Sequence, residues 1–389
     1  MKLLIDARTL QDRFPGIGRY TYNLIDALAP QLEGELLVIT PHASRPTPYD
    51  LNHLARHPNL TLIPTDIPVF NWRAQAALPR LIRSLQPDLV HFPYNVRPFW
   101  LGLPSVLTLY DVIPRRFPGY YPRRSRLQIE IIQRLAIRSS HAFVAISQAA
   151  AEDFRQKYGI PAGRIAVTPL AADPIFRPQP VEIVADLRRR LALPQRYVLY
   201  LGSNKPHKNL PRLIEAWARS EQSTVNSQQS TVNNQRAGGR GQGATLIIAG
   251  AWDERYPEAK RLVEQQNLAG TVRFLGPVAN ADLPALYAGA ALFVFPSLYE
   301  GFGLPVLEAM ACGAAVACSH TSSLPEVAGD AALFFDPEDA AALAAALTRL
   351  LADSDLRADL ARRGSEQAGR FSWERTAKAT LPVYRKLLG

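Results

Sequence analysis

Cysteine is nearly absent: Cys312 and Cys318 are the only two in 389 residues. A disulfide framework is therefore excluded as the basis of the fold. Both thiols stand among small apolar neighbours, in Met310-Ala311-Cys312-Gly313 and Val316-Ala317-Cys318, which predicts reduced core side chains in a cytoplasmic protein. Long apolar runs are missing too; none approaches the roughly 18 residues that a membrane span needs. The opening Met1-Lys2-Leu3-Leu4-Ile5 is cut off by Asp6 and Arg8 too early for a signal peptide, so nothing points to secretion. The seven histidines show no metal-ligand spacing. Walker A, G-x-S-x-G and zinc-finger patterns are absent, as is an aromatic ribonucleoprotein box, and their absence argues against the corresponding chemistries.

What is present in excess is positive charge, a formal +10. Nucleic acid, an anionic membrane and small anionic ligands are the three partners such a balance suits. With no nucleic-acid motif, the first is set aside. Much of the excess is clustered: between Pro114 and Ser140 stand seven arginines and a single acid, Glu130. They interleave with Phe117, Tyr120, Tyr121, Leu127, Ile131 and Ile132. Two readings stay open, an interfacial patch on anionic lipid or a solvated helix with arginine stems lying over apolar surface.

Short apolar runs alternate with longer amphipathic stretches along the chain. Leu3-Leu4-Ile5, Leu36-Leu37-Val38-Ile39, Leu89-Val90-His91-Phe92, Val106 to Tyr110 and Ala142 to Ile146 read as strands. So do Tyr197 to Leu201, Thr245 to Ala249, Val272 to Leu275, Leu292 to Phe295 and Ala315 to Cys318. Near-continuous rather than alternating apolarity is what a parallel sheet covered on both faces requires. The pattern predicts an α/β chain of two doubly wound domains, and the length supports two cores. The boundaries expected are 1–172 for the first domain, 173–195 for a proline-rich linker, 196–368 for the second domain and 369–389 for a terminal helix. That helix, with Ser372 as N-cap, is free to dock on the first domain. Within the second domain, residues 221–243 carry a near-repeat (Gln222-Ser223-Thr224-Val225-Asn226, then Gln229-Ser230-Thr231-Val232-Asn233) and a glycine tract. They read as a disordered insertion after a helix from Leu210 to Ser220.

The strongest motif is Phe295-Pro296-Ser297-Leu298-Tyr299-Glu300-Gly301-Phe302-Gly303-Leu304-Pro305-Val306-Leu307-Glu308. A strand ends, a glycine loop follows, and Pro305 suits the first helical position. Gly301, Phe302, Gly303 and Leu304 then bring backbone amides to a helix start, which attracts anions. Glu300 and Glu308 can face the same crevice at the carboxyl end of the strand. A second strand-to-helix turn, Gly202-Ser203-Asn204-Lys205-Pro206-His207-Lys208-Asn209, offers Lys208 as a point charge for a phosphate, with Asn209 as a helix cap. A third, Phe14-Pro15-Gly16-Ile17-Gly18-Arg19-Tyr20, places Gly16 and Gly18 between the first strand and a helix, where backbone could approach a diphosphate. Asp111, after Thr108-Leu109-Tyr110, sits at the end of a strand as a functional acid or as the cap of the next turn. Asp353-Ser354-Asp355 matches the D-x-D of metal-dependent sugar transferases but reads as a break between two surface helices, and it is rejected as a metal site.

These residues resemble a known family. Glu300 and Glu308 in their E-x7-E spacing, with Tyr299 to Pro305, resemble the signature of the retaining GT-B glycosyltransferases of family 4. Ile5-Asp6-Ala7-Arg8 with Gly16 to Tyr20, Asp111-Val112-Ile113-Pro114 and Leu324 to Ala332 extend the resemblance over nearly the whole chain. The nearest group is bacterial and mannosyltransferase-like, acting in polysaccharide and glycolipid assembly. The resemblance implies a GT-B fold, two Rossmann-like domains facing across a cleft. It implies a nucleoside-diphosphate sugar donor, GDP-mannose or a UDP-sugar, and a glycan or lipid-linked acceptor; a non-catalytic nucleotide-sugar- or glycan-binding protein, or another GT-B enzyme such as an epimerase or a phosphorylase, are the alternatives. No cofactor and no metal are implied.

Residue by residue, it implies that Glu300 contacts the donor sugar and Glu308 the ribose. Gly301 to Leu304 and Lys208 would hold the diphosphate beside Ser203, with Gly16 and Gly18 closing from the first domain. Asp111 is the second catalytic candidate, and Pro277 and Val278 mark the nucleobase region. Where the family often has His the chain has Tyr110, and an Arg often found near Ser203 is missing. Lys208 therefore carries most of the neutralisation, with Lys205 or His207 as helpers. The location expected is cytoplasmic, with a peripheral seat on the inner face of the cell membrane as the second option.

Overall fold

A computed structural model describes residues 1–11, 15–42, 46–230 and 243–389. The chain separates into two compact units. The first is Met1–Ala171 with Phe371–Gly389; the second is Ala172–Arg370.

The first unit begins β1 (Lys2–Asp6), α1 (Pro15–Leu28), β2 (Glu35–Pro41), α2 (Leu51–Leu54), β3 (Leu60–Thr65) and α3 (Ala74–Leu85). It continues β4 (Leu89–Phe92), β5 (Ser105–Leu109), α4 (Ile113–Arg116), α5 (Arg123–Ser139), β6 (Ala142–Ala145), α6 (Gln148–Tyr158) and β7 (Ile165–Val167). The strands form one parallel sheet in the order β3-β2-β1-β4-β5-β6-β7. Its central strands are buried on both faces, so each apolar run seen in the sequence is covered.

The second unit opens with α7 (Val181–Arg190), β8 (Tyr197–Leu201), α8 (Leu210–Ser230), β9 (Thr245–Ala249), α9 (Glu258–Gln265), β10 (Val272–Gly276) and α10 (Leu283–Ala288). It closes with β11 (Leu292–Phe295), α11 (Leu304–Ala311), β12 (Val316–Ser319), α12 (Leu324–Ala328), β13 (Leu333–Phe335), α13 (Ala340–Ala352) and α14 (Ser354–Ala368). This sheet is also parallel, in the order β10-β9-β8-β11-β12-β13. Cys318 in β12 and Cys312 at the end of α11 are both free and buried.

The last helix, α15 (Trp373–Leu388), returns to the first unit. Ser372 caps it by accepting from the Arg375 amide at 3.2 Å. It packs on α1, and Tyr384 meets His91 of β4 beneath it, Oη to Nδ1 at 2.6 Å. His91 Nε2 lies 2.8 Å from Thr108 Oγ1, which in turn meets Tyr20. Burial pushes the His91 imidazole down to about 3, so it is neutral.

Several boundaries differ from the sequence reading. Residues 173–195, read as a linker, carry α7 inside the second unit, with Leu187 buried and Arg190 bonded to Asp282 at 2.6 Å. The helix α8 runs on to Ser230 rather than ending at Ser220, because no glycine or proline interrupts it there. The rest of the low-complexity tract, 231–242, lies outside the described residues, as does Phe14. Three edge strands, β3, β7 and β13, escaped the sequence reading. None of the three is continuously buried, so its apolar run is diluted, whereas the fourth edge strand, β10, was read from its run Val272 to Leu275. Asp353, in the rejected D-x-D, caps α14 through the Leu356 amide at 2.8 Å.

Candidate functional site

In the second sheet β8 and β11 are neighbours, and from them the chain proceeds towards opposite edges. Crevices at such a switch point, outside the carboxyl ends of the strands, are where open α/β sheets bind ligands. The two loops that leave these strands are knitted together. The Leu298 amide donates to the His207 carbonyl at 2.8 Å. Asn209, in the left-handed region at φ 62°, donates from Nδ2 to the Pro296 carbonyl at 3.1 Å and the Pro337 carbonyl at 2.8 Å. The expected helix cap is thus a cross-link between three loops instead.

Lys208 and Glu300 meet at this corner. Lys208 Nζ is 2.6 Å from Glu300 Oε1, with side chains 17% and 11% exposed, and it stands 5.3 Å from the centroid of the Phe295 ring. The sequence reading gave the two residues separate tasks; the structure bonds them to each other. Partial burial sharpens their attraction, and each holds the other in one geometry. Next to them burial, reinforced by Lys208, pushes His207 down to about 4, which keeps a further positive charge out of the corner.

Glu300 is followed by the helix start. Gly303 is the N-cap of α11 at φ 104°, a region that only glycine enters without strain. A Cβ there would also stand 2.6 Å from Leu324 Cδ2. The helix begins at Leu304, one residue earlier than expected, with Pro305 second. The amides of Gly303 and Leu304 have no carbonyl within the helix to bond, as at any helix start. Two residues that the sequence reading missed hold the loop in place. Ser322 Oγ accepts from the Glu300 amide at 2.9 Å, and Ser323 Oγ donates to the Glu300 and Phe302 carbonyls at 3.0 and 2.7 Å. Their only signal was a serine-rich turn, Ser319-His320-Thr321-Ser322-Ser323, after a strand.

The remaining candidates are more scattered. Ser203 is half-buried after β8, and its carbonyl accepts from Tyr200 at 2.7 Å. Glu308 lies on the inner side of α11, 3% exposed, where Tyr287 donates to its Oε2 at 3.1 Å. A buried carboxylate needs such a donor. Pro277 and Val278 follow β10, with β9 and β8 between that strand and β11. Close to them a cavity of about 290 Å³ is lined by Gly202, Gly250, Trp252, Lys260, Phe274 and Gly276. Trp252 and Phe274 pack edge to face there, Lys260 Nζ sits 4.3 Å from the centroid of the Trp252 ring, and Trp252 Nε1 is buried with no hydrogen-bond partner.

The other candidates belong to the first unit. Gly16 and Gly18 do not form a loop before the helix; they lie in the first turns of α1. Gly16 is exposed, with open space beside it, while a Cβ on Gly18 would stand 2.7 Å from Tyr49 Oη and 3.1 Å from the Thr9 carbonyl. Asp111 Oδ1 accepts from the Ile113 amide at 2.9 Å, the cap of the following turn. Tyr110, in place of the family's frequent histidine, donates to the Pro93 carbonyl at 2.6 Å. Asp6, Arg8 and Tyr94 make a buried network at the end of β1: Arg8 Nη2 reaches Asp6 Oδ2 at 2.7 Å, and Tyr94 donates to the same oxygen at 2.6 Å. Sequence inspection had marked Asp6 and Arg8 only through the family resemblance.

Comparison with known proteins agrees with this architecture. Residues 15–175 match the family model for glycosyltransferase family 4, and residues 185–367 match that for glycosyl transferases group 1. O-antigen chain mannosyltransferase B of Escherichia coli is 31% identical over 400 residues, covering 100% of both chains. Sucrose-phosphate synthase from Thermosynechococcus elongatus superposes with a TM-score of 0.73 at 22% identity, covering 99% of this chain and 98% of the other. The Anabaena protein HepE, in complex with UDP and glucose, gives 0.72 at 21% identity, over 99% and 100%. At such identities the solved structures speak to the fold, two parallel-sheet Rossmann-like domains. The matches to both halves and the full-length relative assign the chain: it belongs to the group 1, family 4 glycosyltransferases, and is a glycosyltransferase of the GT-B class.

Proposed function

We propose that the chain transfers mannose from a nucleoside-diphosphate sugar to a glycan or lipid-linked acceptor, with retention of configuration and without a divalent ion. The observation that carries this reading is the Lys208–Glu300 pair at the start of α11. It sets an ammonium, a carboxylate and helix-start amides at one switch point. That is the set needed to hold a phosphate beside sugar hydroxyls. The mannose assignment leans on the full-length mannosyltransferase relative.

In the reaction the anomeric carbon passes through an oxocarbenium-like state. Its bond to the phosphate oxygen breaks and a bond to the acceptor oxygen forms on the same face. The acceptor's proton goes to the departing phosphate oxygen, so no side chain need act as base. Lys208 and the amides of Gly303 and Leu304 stabilise the charge that grows on the diphosphate. Glu300 orients the sugar hydroxyls. The aromatic cavity at Trp252 and Phe274 suits a nucleobase, and the buried Trp252 N–H offers it a donor.

The test is acceptor-stimulated release of nucleoside diphosphate, screened with GDP-mannose, UDP-glucose and UDP-N-acetylglucosamine in the presence of chelator. Release from GDP-mannose, undiminished by chelator, is expected; a UDP-sugar preference removes the mannose assignment, and loss of turnover with chelator that magnesium or manganese restores and zinc does not removes the metal-free mechanism. Glu300→Gln should keep nucleotide binding while cutting transfer, and an unchanged transfer rate would reject its role.

The lipid-linked acceptor and the membrane surface rest on a different observation. In the first unit Leu127 and Ile131 are exposed on the arginine-rich α5, and elsewhere in that unit Phe70, Trp72 and Trp100 are exposed. Among the described residues no helix is long and apolar enough to cross a membrane, so the contact proposed is interfacial. Co-sedimentation with anionic vesicles that falls as salt rises is expected; no co-sedimentation at low salt would discard the surface.

A further inference from the structure

A second group of chemically capable side chains lies in the first unit. Asp26 of α1, His53 of α2 and His57 just beyond it converge on one point. His53 Nε2 is 3.0 Å and His57 Nε2 2.8 Å from the same oxygen, Asp26 Oδ1. Among the described residues this is the one group of three His, Cys, Asp or Glu side chains whose ligand atoms gather closely enough to share a metal ion.

The arrangement is held from several directions. Asp50 caps α2 by accepting from the His53 amide at 3.1 Å. Beyond α2 the Arg56 and His57 amides donate back to the His53 and Leu54 carbonyls, so the backbone keeps turning and both imidazoles come to one side. Tyr49 stacks on Tyr22 of α1 at 5.2 Å, and Tyr22 donates to the Asp50 carbonyl at 3.2 Å. The segment from Tyr49 to His57 is thereby laid along α1, with Asp26 facing the two histidines. The four-residue spacing of His53 and His57 is one that metal-binding pairs use, so the reading that the histidines show no metal-ligand spacing is corrected here; the third member, Asp26, lies far off in the chain.

We propose that Asp26, His53 and His57 bind a divalent cation of the zinc class, with water filling the open position. Two imidazoles and one carboxylate match the preference of zinc and its neighbours and not that of magnesium. Metal–ligand bonds of about 2.0–2.1 Å in tetrahedral geometry set ligand atoms roughly 3.3 Å apart. The two His–Asp spacings need widen by only a few tenths of an ångström to admit the ion, and all three ligand atoms already lie within 4.8 Å of one another. Each imidazole would turn its Nε2 lone pair to the metal, its proton held on Nδ1. The three side chains are 34%, 44% and 23% exposed in the order Asp26, His53, His57, so an ion can reach them from solvent. The bound ion would clamp residues 49–57 onto α1 and so steady Tyr49 against Gly18. Its role is structural, and it belongs to the other unit from the Lys208–Glu300 corner.

The experiment uses the untagged full chain stripped of metal, titrated with zinc by calorimetry and with cobalt by visible absorption. One equivalent of zinc should bind and raise the thermal midpoint, with magnesium inert. Asp26→Asn and His57→Ala should each weaken zinc binding by at least ~100-fold, more than the loss of an outer-shell partner costs. Zinc affinity that is unchanged in both variants, or no binding by the parent chain, overturns the site. Should a variant fail to fold, the cobalt spectrum of the parent chain decides. Intense bands of a low-coordinate ion support the site, and the faint spectrum of hydrated cobalt overturns it. Because the readout is metal binding and not sugar transfer, either result leaves the proposed reaction to stand or fall by itself.

Discussion

The strand order β3-β2-β1-β4-β5-β6 of the first unit is repeated in the second as β10-β9-β8-β11-β12-β13. Each sheet thus offers the same crevice, at β1/β4 in one and β8/β11 in the other. The two are filled very differently. In the first, Asp6 and Arg8 are 0% and 2% exposed and consume each other's hydrogen bonds, with Tyr94 and the Ile67 and Pro68 carbonyls taking the rest. In the second, Lys208 and Glu300 share one ion pair and remain partly open. Topology supplies a crevice; whether it can bind depends on how completely its polar groups are already satisfied.

Three changes would break or sharpen that contrast. Arg8→Ala strands a buried Asp6 carboxylate, so it should cost about 3–5 kcal/mol of stability. Urea unfolding reads this, and a shift well under 1 kcal/mol would mean that the crevice at β1/β4 is not closed as described. Lys208→Ala removes a single donor from the open crevice. It should slow transfer about a hundredfold, ~3 kcal/mol in the barrier, with the fold retained. The double variant Lys208→Ala, Glu300→Gln should recover some stability, because the unpaired carboxylate is then neutral, without recovering rate. Near-normal turnover of the single variant would contradict the assignment.

A separate change concerns pH. His91 has a folded value of about 3 against an ordinary 6.5, lowered by burial. Between these values the unfolded chain binds more protons, so stability rises with pH there and is lost as pH falls, by at most about 1.4 kcal/mol per pH unit. His91→Gln should flatten that dependence when urea midpoints are compared at the two ends of the window. An equal slope in parent and variant would place the acid sensitivity elsewhere.

Much of this was legible from the amino acids. Central strands such as Val106 to Leu109 announce themselves because both faces are buried, and the loop from Glu300 to Pro305 combines glycines, acids and proline in a short span. The edge strands β3, β7 and β13 were not legible, since none of the three is continuously buried. Nor were the partners of side chains. That Lys208 would bond to Glu300, that Asn209 would reach two loop carbonyls, or that Tyr287 would hold Glu308 depends on contacts between segments far apart in the chain. Sequence patterns report the period and composition of one segment, so such pairs leave no trace in either partner alone.

Because α15 completes the first unit, that unit is not continuous in the chain; the whole of the second is inserted before its last helix. A ribosome therefore releases Tyr384, the cover over His91, only after residues 172–370 have emerged. The amino-terminal sheet must wait through that interval with its α1 and β4 surfaces bare. Strand order notwithstanding, the later-made unit is the first that can finish folding, and a nascent chain stalled before residue 371 would expose apolar surface in its older half.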